Sequence, residues 1–519
     1  METLDEHLAA VAKSPRGPKI AALFDFDGTI IAGYSAMALL KEKFKRRQMS
    51  AEEIVETLAV MGQYRAGGIG FSGLMASGAK FMRGVSEESF AQFGEELYEK
   101  HIARKVYPEA RALIQAHLDR GHRVAIVSSA TRYQIEPAAR DLGISDVLCS
   151  AYEVERGEFT GNIVRPLCFG DGKVSAAEIY AAKHGIDLAR SYFYSDSADD
   201  IALLEQVGQP RPLNPDTKLR AAARRHGWPV LSFSSRGSPT ALDYARTISA
   251  TTSMIGAFTA GIGLYGVTRS KREATNFATA LYGDIGAAIA GIELDVHGEE
   301  NLWKSRPCVF LLNHQSKADV IIMAKLVRRD MGGVAKKEAR NVPVLGKLLE
   351  LAGIIFIDRQ NTGSAIKAME PLVAAIRNEG KSIVIAPEGT RTLTPKLNPF
   401  KKGAFHLAMQ AGVPIVPVVI HNAHDVAPKN EFIMRPAKVR VDVLPPIESS
   451  AWSVETLDVH IAEVRNLYLE ALGQPAQPLP GTAAKARASA TSVRKAKPRA
   501  AKPVRKAKTT PVLAGSADE

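Results

Sequence analysis

Apolar residues recur along this chain in two registers: short unbroken runs, and longer stretches where they return every three or four positions. Residues 19–26 (KIAALFDF) form an unbroken run suited to a buried parallel strand. Residues 34–118 carry a helical pattern without strand-like runs and read as an insertion after that strand. A second buried strand is predicted at 123–128 and a third at 191–196, the latter after a helical segment from about 174 to 184. Residues 228–233 predict the last strand of this half. Strands alternating with helices argue for a doubly wound α/β domain covering about 16–235.

A turn-rich linker, SSRGSP at 234–239, follows. Residues 247–268 are then uncharged over 22 positions, about half of them Gly, Ser and Thr, and 274–292 form a second apolar stretch with Asp284 near its centre. Such composition makes a weak transmembrane candidate and favours a helical pair lying on or dipping into one leaflet. A pair buried in the fold and a true span are the alternatives. Residues 236–292 are therefore set aside as linker and membrane-associating pair. From Val309 the α/β pattern resumes, with strand-like runs CVFLLN, GIIFID, SIVIAPEG and VPIVPVVI, and a second α/β domain is expected over 293–472.

Composition changes this picture at the C-terminus. The chain of 519 residues carries a net charge of +12, and residues 473–519 hold ten basic and two acidic residues, hence +8 of that total. This Ala-, Pro-, Lys- and Arg-rich tail cannot bury a core and is expected to be disordered. It reads as a solubilising tail or a tether to anionic lipid. Nucleic acid is not an expected partner, since no aromatic interleaving accompanies the charge. Three cysteines without paired spacing point to a reducing cytosol, and the N-terminus has no signal-peptide run.

The first strand ends in Asp25-Phe26-Asp27-Gly28-Thr29. Positions two apart at a strand end face one side, so Asp25 can attack phosphorus while Asp27 protonates the leaving oxygen. Gly28 and Thr29 allow a tight turn whose amides meet phosphate. Carboxylates facing a phosphate call for Mg²⁺, held by Asp25, the Asp27 carbonyl and the cluster Asp196, Asp199, Asp200. Ser128 and Lys173 are placed to hold phosphoryl oxygens. Four such elements in order, DFDGT, VAIVSS, GDGKV and YSDSADD, resemble the haloacid-dehalogenase-superfamily phosphatases, in the branch that includes phosphoserine phosphatases. The resemblance implies a Rossmann-like core, Asp25 as nucleophile and Asp27 as acid/base. It further implies Ser128 and Lys173 as phosphate ligands, Asp196 and Asp200 as Mg²⁺-associated, and a helical cap at about 34–105 that decides substrate. The chain departs from phosphoserine phosphatases at Tyr34, where they carry a glutamate for the substrate ammonium, and at Ser129-Ala130, where they carry Gly-Gly.

The second half opens differently. His314 follows a strand and Asp319 stands five residues on, so a carboxylate at a helix start can fold back to one imidazole nitrogen and leave the other to deprotonate a hydroxyl. Arg359 and Arg391 each close a strand-end segment, suiting bidentate phosphate binding, and Lys401-Lys402 add charge. The blocks NHQSKAD, GIIFIDR, PEGTR and VPIVPVVI resemble the lysophospholipid and glycerolipid acyltransferases. That resemblance implies His314 as general base, Asp319 as its orienting partner, and Arg359, Glu388, Gly389 and Arg391 as the acceptor-phosphate site. It also implies an acyl-CoA or acyl-carrier-protein donor and lysophosphatidic acid (1-acylglycerol-3-phosphate) as acceptor.

The expectation is thus a bifunctional enzyme of phospholipid synthesis at the cytoplasmic face of the cell membrane, peripheral or monotopic, with an anionic membrane surface as partner. Two alternatives stay open: a catalytically silent phosphatase-like regulatory half, and a phosphatase acting on phosphoserine.

Overall fold

The computed structural model describes residues 2–342, 345–357 and 369–480. Contacts divide the chain into two compact units, Met1–Ala451, which holds both α/β halves, and Trp452–Glu519, whose described helix is Leu457–Ala471.

In the first half the strands are β1 (Ala21–Phe24), β2 (Arg123–Thr131), β3 (Asp146–Ser150), β4 (Tyr152–Glu155), β5 (Glu158–Ile163), β6 (Tyr192–Ser195) and β7 (Gln209–Pro212). Five of them form a parallel sheet in the order β3-β2-β1-β6-β7, while β4 and β5 make a separate antiparallel hairpin. Every residue of β1 and β6 is buried, as central parallel strands require. Two apolar clusters cover the two faces, one around Phe24, Ile126 and Tyr194, the other around Leu23, Val127 and Phe193. The order turns about β1, and a doubly wound sheet places its site beyond the carboxyl ends of the strands there.

The insertion after β1 is helical, with helices Ser35–Lys45, Ala51–Arg65, Phe71–Lys80 and Glu87–Leu97. It has its own small core: Met82, Phe90 and Phe93 pack with Tyr133 and with Phe159 of β5. This cap returns to the sheet through a backbone bond from Tyr107 N–H to the Ile30 carbonyl, 3.0 Å.

One expectation of a strand fails. Residues 228–233 form no sheet strand; Leu231 makes a single bridge to Leu213. Pro229 has no N–H to give a ladder. The edge is instead β7, whose Pro210 and Pro212 are tolerated because β7 pairs on one side only, with β6.

In the second half a helical hairpin, Ala241–Thr268 and Lys271–Ala290, leads into the strands. These are β8 (Ile292–His297), β9 (Val309–Leu312), β10 (Met331–Lys336), β11 (Ile354–Ile357), β12 (Ser382–Ile385), β13 (Ile415–Ile420) and β14 (Ala437–Val443). They form one sheet ordered β11-β10-β12-β9-β13-β14-β8, parallel except at β13/β14. The sequence reading found four of these seven and missed β8, β10 and β14.

One face of the hairpin joins the core: Met254, Ala257, Phe258 and Tyr282 pack in the cluster that contains Phe310 and Ile321. Gly283 permits the second helix to touch Asp319–Val327, since a Cβ there would lie 2.4 Å from the Lys325 backbone nitrogen. Asp284 is not a stray charge, because Arg328 pairs with both its oxygens at 2.9 and 3.0 Å. The opposite face is bare: Ile248, Ile255 and Ile262, seven apart and hence on one stripe, are exposed. Among the described residues Ala241–Thr268 is the one helix that could cross a bilayer by length and composition, a condition that core helices of soluble proteins also meet.

Candidate active sites

β1 ends at Phe24, so Asp25 and Asp27 emerge at the carboxyl end of the central strand. Asp25 is buried, and Lys173 Nζ donates to its Oδ1 at 2.8 Å. The same ammonium donates to Asp200 Oδ2, 2.8 Å, which also accepts from Ser195 Oγ at 2.6 Å. Lys173 is itself buried, in the first turn of the helix Asp171–His184. Burial alone would favour its neutral form, but the two carboxylates outweigh it and hold the proton more tightly than usual.

Burial pushes Asp25 up to about 6 against the pull of Lys173. It pushes Asp27 up to about 7, although Ser35 donates to that carboxylate through its N–H (2.6 Å) and Oγ (3.0 Å). A carboxyl near 7 can both give and take a proton at neutral pH. Ser35 escaped the sequence reading. A small polar residue opening the cap helix, eight positions after Asp27, was the available signal. Gln134 Nε2 holds the Ser35 hydroxyl at 3.0 Å.

Asp196 stands against the DFDGT turn: Thr29 Oγ1 donates to it at 3.4 Å, and Gly28, at φ +80°, leaves it room. A Cβ at Gly28 would fall 2.0 Å from Asp196 Oδ2. Burial, then Asp25 and Asp200, raise Asp196 to about 8. Ser128 is buried on β2, its Oγ accepting from the Ala130 N–H at 3.3 Å. Asp199 is exposed, apart from the buried cluster.

Four carboxylates, Asp25, Asp27, Asp196 and Asp200, therefore share one buried ammonium, and Asp200 Oδ1 is buried without a hydrogen-bond partner among the described residues. That shortage of positive charge fits a divalent cation. Among the described residues no three His, Cys, Asp or Glu side chains form a ready-made metal cage. The donor set Asp25, Asp196 and the Asp27 carbonyl is the sparse kind that suits Mg²⁺, which keeps several waters.

In the second half, β9 delivers Asn313 and His314. Asn313 is clamped to Ile420 of β13 by two bonds of 2.7 Å, its amide giving to the carbonyl and its oxygen receiving the N–H. His314 Nδ1 donates to Asp319 Oδ2 at 2.7 Å. That oxygen also accepts the N–H groups of Gln315 and Ser316, at 2.9 and 3.1 Å, so the carboxylate closes the turn that opens its own helix. The His314 side chain keeps 30% exposure, and Nε2 is the nitrogen left to meet a hydroxyl.

Glu388 is buried, and both its oxygens take main-chain N–H groups, His314 at 2.8 Å and Asn398 at 2.9 Å. Burial nonetheless raises it to about 7. It braces the His314 turn, as does the Thr392 N–H bonded to the His314 carbonyl at 2.8 Å. Beside this brace are two cations. Arg391 Nη1 is buried without a hydrogen-bond partner among the described residues, and a Cβ at Gly389 would sit 2.9 Å from Lys401 Nζ. Arg359 lies outside the described residues.

Residues 22–205 match the family model described as haloacid dehalogenase-like hydrolase, and residues 293–421 match that described as Acyltransferase. A 1-acyl-sn-glycerol-3-phosphate acyltransferase of Limnanthes alba is 36% identical over 206 residues, 39% of this chain and 73% of the relative. Phosphoserine phosphatase SerB1 of Mycobacterium tuberculosis is 34% identical over 233 residues, 43% of this chain and 75% of the relative. The crystal structure of the 1-acyl-sn-glycerophosphate acyltransferase PlsC from Thermotoga maritima matches at 23% identity and a TM-score of 0.39, over 44% of this chain and 95% of that one. The chain belongs to two families in series, the haloacid dehalogenase-like hydrolases through its first half and the acyltransferases through its second.

Proposed function

We propose that the chain carries two reactions. In the second half, His314 Nε2 removes the proton from the free hydroxyl of 1-acylglycerol-3-phosphate as that oxygen attacks the thioester of acyl-CoA or acyl-carrier protein. The thiol leaves with the proton, and phosphatidate forms. Asp319 orients the ring and steadies the imidazolium. Arg391 and Lys401, with Arg359, hold the acceptor phosphate, and Glu388 acts by holding the His314 turn. The observation that carries this reading is the 2.7 Å His314–Asp319 pair near Arg391, whose buried Nη1 has no hydrogen-bond partner among the described residues. Replacing His314 with alanine should abolish acyl transfer, measured with radiolabelled acyl-CoA, and leave phosphatase activity in place. Loss of both would argue against independent sites.

In the first half, an Asp25 oxygen attacks the phosphorus of a phosphomonoester while Asp27 protonates the leaving alcohol. Asp27 then takes a proton from water as the aspartyl phosphate is hydrolysed. Lys173 and Ser128 hold the phosphoryl oxygens. Asp25, Asp196 and the Asp27 carbonyl, with Asp200 near them, would hold Mg²⁺, which would supply positive charge for the incoming anion. The Asp25–Lys173–Asp200 arrangement favours a working enzyme over a silent regulatory domain. Magnesium-dependent phosphate release from p-nitrophenyl phosphate, lost on Asp25→Asn, tests it. Phosphoserine is a second reading, favoured by the Mycobacterium tuberculosis relative's name.

We place the chain at the cytoplasmic face of the membrane as a monotopic protein, supported by the bare isoleucine stripe of the hairpin and by the basic residues after 481, which lie outside the described residues. Vesicle flotation of full-length and tail-deleted protein at low and high salt tests this.

A further inference from the structure

The surface around the mouth of the phosphatase site is two-natured. Ser35, which bonds Asp27, is preceded by Tyr34, 62% exposed. The Tyr34 phenol faces carboxylates: burial first, then Asp196, Asp27 and Asp216 make its proton harder to lose. From Tyr34 the exposed side chains of the helix Ser35–Lys45 recur at Met37 (47%), Lys41 and Phe44 (64%). Steps of three and four put them on one face, so the stripe runs outward from the catalytic carboxylates.

The next cap helix, Ala51–Arg65, has no buried residue among those described and exposes Val55 and Leu58, three apart. Apolar side chains exposed along one helix face, as at Tyr34, Met37 and Phe44, mark a surface that meets something apolar. Cations accompany them. Lys45 and Arg47 are exposed. Lys105 lies within electrostatic reach of both Asp27 and Lys41. A stripe of exposed apolar side chains interleaved with lysines is the complement of a molecule with an anionic head and a hydrocarbon tail, and lysine stems extend such a surface. A phosphorylated amino acid, small and polar throughout, would leave the stripe unused.

We propose that the phosphatase site takes a lipid phosphomonoester, its phosphate at Asp25 and Lys173, its head flanked by Lys105, and its acyl chain along Tyr34, Met37, the Lys41 stem and Phe44. This rests on the phosphatase reading above and names its substrate class. The bond between phosphorus and the glycerol oxygen breaks as Asp27 protonates that oxygen, the phosphoryl group passes to Asp25 and then to water, and a neutral acylglycerol and inorganic phosphate leave. The compounds that qualify are those that the second half consumes and forms, so hydrolysis of phosphatidate would follow acyl transfer on the same chain.

The full-length protein with Mg²⁺ is assayed for phosphate release from phosphatidate and 1-acylglycerol-3-phosphate in mixed micelles, and from glycerol 3-phosphate, phosphoserine and p-nitrophenyl phosphate in solution. One lipid should exceed glycerol 3-phosphate and phosphoserine in kcat/KM by about 100-fold or more, as burial of several methylenes implies. Met37→Asp and Phe44→Asp, both at exposed positions, should each lower the ratio of lipid to p-nitrophenyl phosphate turnover by about tenfold. Phosphoserine or glycerol 3-phosphate turned over as well as the lipids overturns the proposal, as does an unchanged ratio in both variants. Failure to hydrolyse p-nitrophenyl phosphate at all would instead remove the phosphatase reading beneath it.

Discussion

Arg236, in the segment that leaves the phosphatase fold, donates to the main-chain carbonyls of His424 and Asp425 at 3.1 and 3.2 Å. His424 Nδ1 in turn lies 3.3 Å from Oε1 of Gln315, the residue after His314. Arg236 is buried, and burial lowers its pKa despite Asp425. Removing it would take two charged donors from these carbonyls and leave a gap in the seam. Arg236→Ala should cost about 1–3 kcal/mol of stability. Calorimetry should show a lower Tm; an unchanged thermogram would mean that the seam contributes nothing.

The two catalytic sets predict a clean double dissociation. Asp319→Asn should reduce acyl transfer by about 10³–10⁴-fold, because the imidazole loses the carboxylate that fixes its tautomer. Phosphate release should be untouched. Asp25→Asn should do the reverse, and its helix content by circular dichroism should match the parent.

Glu388 offers a test of bracing against ligation. Glu388→Gln keeps one oxygen for a main-chain N–H but turns an amide against the other, so the His314 turn should loosen. The expected result is a kcat for acyl transfer reduced by about 10–100-fold with little change in acceptor KM. A rise confined to KM would instead mark Glu388 as a contact to the acceptor.

A buried histidine cluster in the first half should resist protonation for an identifiable reason. His7 Nε2 and His117 Nε2 both meet the Tyr194 hydroxyl, at 2.7 and 2.9 Å, and His117 Nδ1 meets His122 Nδ1 at 2.9 Å. Arg211 and Glu2 flank His7. Burial lowers all three histidines, His7 to about 3 from an ordinary 6.5. Groups with depressed imidazole pKa values stay neutral in the fold and bind protons only on unfolding. Their contribution is therefore complete above about pH 6.5 and lost as pH falls toward 3, by up to about 1.4 kcal/mol per pH unit for each. The raised carboxyls of Asp25, Asp27 and Asp196 act in the opposite sense, so the histidine share is read as the difference in urea midpoint between His117→Gln and the parent. That difference should be constant above about pH 7 and shift in favour of the variant below about 6.5; a difference insensitive to acid would contradict this.

What was legible in advance follows a physical division. Asp25, Lys173, Asp196, His314 and Asp319 sit where chemistry and local pattern coincide, at strand ends and helix starts, so a single sequence exposes them. The strand β7 was hidden because QPRP violates strand propensity, and only its edge position excuses the prolines. β10 hides similarly behind Gly332 and Gly333, where a Cβ would strike Ile383 or Ile354. Arg236 was read as linker. Its partners lie almost 190 positions away, a distance over which local pattern carries no signal.

The close approach at Gly283 has a mechanical consequence. The hairpin helix Lys271–Ala290 meets the Asp319–Val327 helix backbone to backbone, without a cushion of side chains to absorb displacement. Packed interiors transmit strain in such contacts. Displacing the hairpin would thus move the helix that carries Asp319, and with it the hydrogen bond that fixes the His314 ring.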